Sequence, residues 1–196
     1  MRRFLLLTFA CSILSLATCA LAQQLDLAVG GSTVISSKPT ISSQAFLPPG
    51  LRGGVYPSAS VQYIFKGRLG LNAELVTRYK KGLYNGYQFF RPVLYDVNAA
   101  YARQYTAKYG VDLMAGIGAD TLLFYTQYAN CSVGNCPNLV NSTHFMIHGG
   151  FDVRYYFWRN FFARPEVHYY RIVNNYQFHS GNLLRLGASI GYSFGR

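Results

Sequence analysis

The chain is organised by a period of two. Toward its carboxyl end, Leu184, Leu186, Ala188, Ile190, Tyr192 and Phe194 alternate with Arg185, Gly187, Ser189, Gly191 and Ser193. Such alternation predicts a β-strand with one apolar face and one polar face. The same pattern recurs upstream at 163–170, 145–155, 111–125, 93–105, 68–79, 54–65 and 25–35. That makes about eight strands, most of them near the length that crosses a bilayer when tilted. The connections alternate too. Short ones fall at Lys66-Gly67-Arg68, at 106–109 and at Trp158-Arg159-Asn160; longer ones fall at 36–53, 80–92, 126–142 and 173–182.

The acids sharpen the pattern. Asp26, Glu74, Asp96, Asp112, Asp120, Asp152 and Glu166 all occupy the polar phase of a strand. The opposite phase is Leu, Val, Ile, Ala, Tyr and Phe. A soluble barrel would put apolar residues inside and polar ones outside. Here seven carboxylates share a face with Gly, Ser and Asn, and a polar interior accommodates them more readily than a lipid-facing surface does. The expected fold is all-β: an eight-stranded antiparallel up-and-down transmembrane β-barrel with lipid outside and a polar lumen. With eight strands the first and last can pair, which removes the sheet edges.

The amino end predicts export. Arg2 and Arg3, the apolar run from Phe4 to Leu16, and Ala20-Leu21-Ala22 form a signal peptide over residues 1–22, with the barrel domain over 23–196. The alternative is a lipoprotein site at Leu16-Ala17-Thr18-Cys19, with Cys19 acylated. Cleavage takes the formal net charge from +11 to +9. For an exported chain, that basic balance points to anionic head groups or lipopolysaccharide phosphates rather than nucleic acid. Cys131 and Cys136 are the two cysteines left after cleavage. In an exported loop they are expected to form a disulfide. A structural metal site would need about four ligands, and no second Cys pair exists.

Two stretches carry a family resemblance. Gly149-Gly150-Phe151-Asp152-Val153-Arg154, followed after a short turn by Ala163-Arg164-Pro165-Glu166-Val167, resembles the last hairpins of small OmpA/OmpX-like outer-membrane β-barrel proteins. Leu186-Gly187-Ala188-Ser189-Ile190-Gly191-Tyr192-Ser193-Phe194 is similar to their final strand, although Gly195 and Arg196 follow the aromatic residue here. The resemblance implies an outer-membrane location. It also implies recognition of the aromatic final strand by the barrel assembly machinery. It implies little about activity.

Candidate chemistry is sparse. Asp152, Arg154, Arg164, Glu166 and His168, with Arg185 on the next strand, are expected to meet on the lumen face as a polar network. An eight-stranded barrel is just wide enough to be filled by such side chains. The alternative is a narrow channel or a small polar solute site. His144 and His148 lie four apart, which on a strand is roughly 13 Å, too far to share one ion. Gly187-Ala188-Ser189-Ile190-Gly191 has the Gly-x-Ser-x-Gly spacing of hydrolases, but it lies mid-strand and no suitable acid and histidine follow. Lys80, Lys81 and Arg91 sit in or beside acid-free loops with aromatic neighbours, and are the candidate lipopolysaccharide contacts. The expected protein is a monomeric, non-enzymatic outer-membrane barrel without cofactor. It would serve envelope structure, adhesion or surface ligand contact, with outer-membrane lipid, lipopolysaccharide and the assembly machinery as its partners. A narrow channel and a lipid A-modifying enzyme are the alternatives.

Overall fold

The computed structural model describes residues 24–36, 51–65, 68–84, 88–125, 139–175 and 181–196. The expected signal segment with Cys19, and the pair Cys131 and Cys136, lie outside the described residues. Among the described residues nine strands are formed: β1 Gln24–Ser36, β2 Tyr56–Phe65, β3 Leu69–Thr77, β4 Gly82–Tyr84, β5 Gln88–Gln104, β6 Tyr109–Tyr125, β7 Leu139–Trp158, β8 Phe161–Ile172 and β9 Asn182–Phe194. They make one antiparallel sheet in the order β3-β2-β1-β9-β8-β7-β6-β5-β4. β3 also pairs with β5, running from Leu69↔Tyr101 to Thr77↔Val93, and β4 continues that line against Gln88–Phe90. The ring is therefore closed, with eight staves, and β3 and β4 share one of them.

The first and last strands pair over Leu25↔Phe194 to Ser36↔Leu183. No backbone edge is left open there, which is the condition for a sheet to cross a bilayer. The tight connections gather at one end, called here the turn end, and the wider ones at the loop end. Two strands are longer than their periodicity predicts. β5 begins at Gln88 rather than 93, and β7 begins at Leu139 rather than 145, so the carboxyl ends of the two expected loops are sheet. Along the start of β7 the outward phase holds Asn141 and Thr143, which hides it from a reading based on hydrophobic alternation. It is laced laterally instead: Tyr95 Oη lies 3.3 Å from Thr121 Oγ1, which lies 3.0 Å from Thr143 Oγ1.

Outward residues form an apolar belt. Val29, Leu71, Val97, Ile117, Ile147 and Ile190 are each 49–67% exposed. A continuous apolar girdle of this extent is a surface made for a non-aqueous neighbour. Between the rims, the outward phase of the strands carries no charged residue. All seven acids point inward and are buried.

β7 and β8 depart from regular register where they join. Tyr156 pairs with Phe162 but Trp158 pairs with Phe161, so Phe157 is the extra residue of a β-bulge. Bulges re-aim side chains. Here Phe157 and Trp158 both face outward, and Arg159 closes the turn with φ +44°.

Candidate functional site

The inward phase fills the lumen in three layers. At the turn end Arg154 is the hub. Its Nε donates to Asp112 Oδ2 at 2.8 Å and its Nη2 to Asp112 Oδ1, a two-toothed grip. Its Nη1 reaches across the barrel to Asp26 Oδ2 at 2.5 Å and to Tyr156 Oη at 3.2 Å. Gln24 Nε2 donates to Asp26 Oδ1 at 2.7 Å, and Tyr156 Oη lies 3.2 Å from Ser193 Oγ. Arg196 closes the layer from below, with its guanidinium carbon 3.4 Å from the Tyr156 ring centroid.

The middle layer is built on β8 and β9. Arg164 donates to Glu166 Oε1 at 3.0 Å, Ser189 Oγ at 3.2 Å and Ser60 Oγ at 2.9 Å, with Asp152 Oδ2 at 3.5 Å. Arg185 Nη2 lies 2.8 Å from both oxygens of Glu74, on the far side of the ring. Glu74, Glu166 and His168 place ligand-type atoms within 4.8 Å of one another. That spacing suits a metal ion, but Arg185 holds Glu74 and Arg164 holds Glu166, so guanidiniums already occupy the cluster.

A line of hydrogen bonds crosses this layer. Asn98 Nδ2 donates to Asn72 Oδ1 at 3.2 Å and to Asp96 Oδ1. That leaves Asn98 Oδ1 as an acceptor for His148 Nδ1, 2.6 Å away. His148 Nε2 then accepts from His168 Nδ1 at 2.8 Å, and His168 Nε2 faces Asp152 Oδ1 at 3.2 Å. Gly150 permits the arrangement: a Cβ there would sit 2.9 Å from His168 Nδ1. Tyr170 lies above, its ring stacked on His148 with centroids 4.6 Å apart.

The loop-end layer is mostly apolar, with Asp120 buried in it at the height of Leu94. Val34, Leu51, Tyr56, Val76, Phe90, Leu94, Leu122, Phe124, Met146, Ile172 and Leu183 form one buried cluster with Tyr170. This corrects the expectation of a lumen that is polar throughout. Along β5 the inward phase runs Asn98, Asp96, Leu94, Phe90, and along β3 it runs Asn72, Glu74, Val76. The change from polar to apolar toward the loops is visible in the sequence once the inward positions are read in order of height. A second correction concerns Arg154. It does not join Arg164, Glu166, His168 and Arg185; its partners Asp112 and Asp26 put it in a separate layer. Glu74, Asp96, Asn98 and His148 are members that the expected network lacked.

At the loop rim, Lys80 and Lys81 are exposed and Arg91 is half-buried. Lys81 Nζ stands 3.7 Å from the Tyr125 ring centroid, and Arg91 Nη2 donates to the Tyr79 carbonyl at 3.3 Å.

A closed ring of eight staves, an outward apolar belt and a filled lumen can be compared directly with solved structures. The fold is that of the small outer-membrane β-barrels. Ail, the attachment invasion locus protein of Yersinia pestis, was solved with the heparin analogue sucrose octasulfate. It superposes with a TM-score of 0.59 at 10% identity, over 89% of this chain and 100% of its own. Neisserial surface protein A gives a TM-score of 0.57 at 13% identity over 88% and 97%. Escherichia coli outer membrane protein W gives 0.53 at 13% identity over 88% and 98%. No protein-family model and no curated protein sequence matches the chain. At these identities the likeness is one of backbone, and the lumen side chains of this barrel have to be read on their own.

Proposed function

We propose that the protein is a non-enzymatic integral barrel of a bacterial outer membrane. It is exported by its signal segment over residues 1–22 and assembled through the aromatic final strand ending in Tyr192 and Phe194. Its lumen is sealed, and its loop-end cations meet polyanionic surface ligands, with lipopolysaccharide phosphates the foremost candidate. One observation carries the reading: an uncharged apolar belt lies between two rims, and every acid is sealed inside. A barrel so arranged presents only cations at its ends.

The lumen supports a structural role. Its polar middle is bonded across the ring and its loop end is stoppered by Phe90, Leu94, Leu122 and Phe124. Ser189 donates to Glu166 and accepts from Arg164, which leaves it no histidine to activate it. Arg91, near Lys80 and Lys81, and Arg171 elsewhere on the loop rim face outward, on the level where outer-leaflet phosphates would lie. Ail shares the backbone and was crystallised with a sulfated sugar, which is consistent with polyanion contact by this kind of barrel.

The test is lipopolysaccharide binding by the refolded barrel and by a Lys80→Gln, Lys81→Gln, Arg91→Gln variant. Each cation beside an anionic surface contributes about 1 kcal/mol, so the triple variant is expected to bind on the order of a hundredfold more weakly. Unchanged binding removes lipopolysaccharide from the proposal.

A further inference from the structure

The turn end is as basic as the loop end. Arg68, Arg103, Lys108, Arg159 and Arg196 are all exposed there, and no acid accompanies them because all seven lie in the lumen. Two of these cations are engaged. Arg196 donates to the Arg159 carbonyl at 3.0 Å and to the Ala107 carbonyl, and Arg103 lies 5.0 Å from the Tyr105 ring centroid. The Arg159 guanidinium has no hydrogen-bond or ion-pair partner among the described residues. It lines a surface groove of about 330 Å³ together with Trp158, Asn160, Phe161 and Tyr192.

The groove is built rather than incidental. The bulge at Phe157 turns Trp158 outward, where it stacks on Phe161 with centroids 5.5 Å apart and planes 11° from parallel. Phe161 in turn meets Tyr192 edge-on at 4.8 Å. Three aromatic rings thus form an apolar wall at the level where rings of this type sit against head groups. The turn that follows sets a free guanidinium at its lip. A guanidinium binds phosphate oxygens through paired N–H donors, and the rings suit the adjoining glycerol and acyl carbons.

We infer that this groove holds the head group of an anionic phospholipid, with Arg159 binding the phosphate and Trp158, Phe161 and Tyr192 contacting the glycerol and upper acyl chain. The inference rests on the membrane reading above and adds a lipid preference at the rim opposite the loops. The charge balance of the rim selects an anionic lipid over a zwitterionic one, because five exposed Arg and Lys side chains stand there and no Asp or Glu side chain does.

Trp158 is the only tryptophan of the chain, which supplies a local reporter. The processed chain is reconstituted in phosphatidylcholine bilayers containing an equal, low fraction of either brominated phosphatidylglycerol or brominated phosphatidylcholine, and Trp158 fluorescence quenching is measured. One guanidinium at an anionic surface gives an enrichment on the order of fivefold, so phosphatidylglycerol is expected to quench as if that much more concentrated around Trp158. Arg159→Gln is expected to bring the two lipids level while keeping the folded gel mobility. Equal quenching by the two lipids in the unmodified chain overturns the site and leaves the membrane barrel standing. A preference that persists in Arg159→Gln overturns the assignment to this groove. Absence of quenching by either lipid overturns both readings, because Trp158 then does not touch a bilayer.

Discussion

Arg154 shows what a single lumen residue is worth. Asp112 and Asp26 both depend on it, and all three are buried. Replacing it with Met leaves two carboxylates in a low-dielectric interior without their cation, a change that typically costs about 3–5 kcal/mol. Urea unfolding of the variant in lipid vesicles checks this, and a loss under 1 kcal/mol would mean that water, rather than Arg154, solvates the pair. Replacing Asp26 and Asp112 with Asn in the same chain should recover part of the loss, since the paired desolvation is then relieved. The sequence announced which side chains point inward but not which of them touch. Arg154 meets Asp26 across 128 residues and Arg185 meets Glu74 across 111, both on the far side of the ring. Such chords depend on strand stagger and tilt, which alternation does not encode. Cross-strand neighbours were legible; cross-lumen partners were not.

At the scale of strands, hydrophobic alternation located all eight staves and the side each residue faces. It erred at the start of β7, where the outward phase holds Asn141 and Thr143, and at the start of β5, where Phe89, Phe90, Arg91 and Pro92 do not alternate. It also passed over the bulge at Phe157, since Tyr155-Tyr156-Phe157-Trp158 is aromatic on both phases. The loop ends of the staves carry the apolar stopper, and Phe90 is fully buried in it. Phe90→Ala should cost about 3–5 kcal/mol of unfolding free energy, a core-residue loss in a place where a water-filled pore would show almost none. The same stopper predicts that the unmodified barrel passes no sustained current in a planar bilayer. A steady open-pore conductance would contradict the filled lumen.

The whole molecule is a sorting of charge by topology. Every acid of the chain is inside, and among the described residues the cations outside the lumen stand on two rims separated by an uncharged belt. That separation suits a barrel seated in a bilayer, and it implies no catalytic chemistry. The central claim, a closed barrel seated in an outer membrane, is tested most directly by gel mobility of the outer-membrane fraction, run unheated and heated. A folded barrel is expected in that fraction, with unheated protein migrating as a compact band that shifts on boiling. Recovery in the soluble fraction, with identical migration before and after heating, would contradict it.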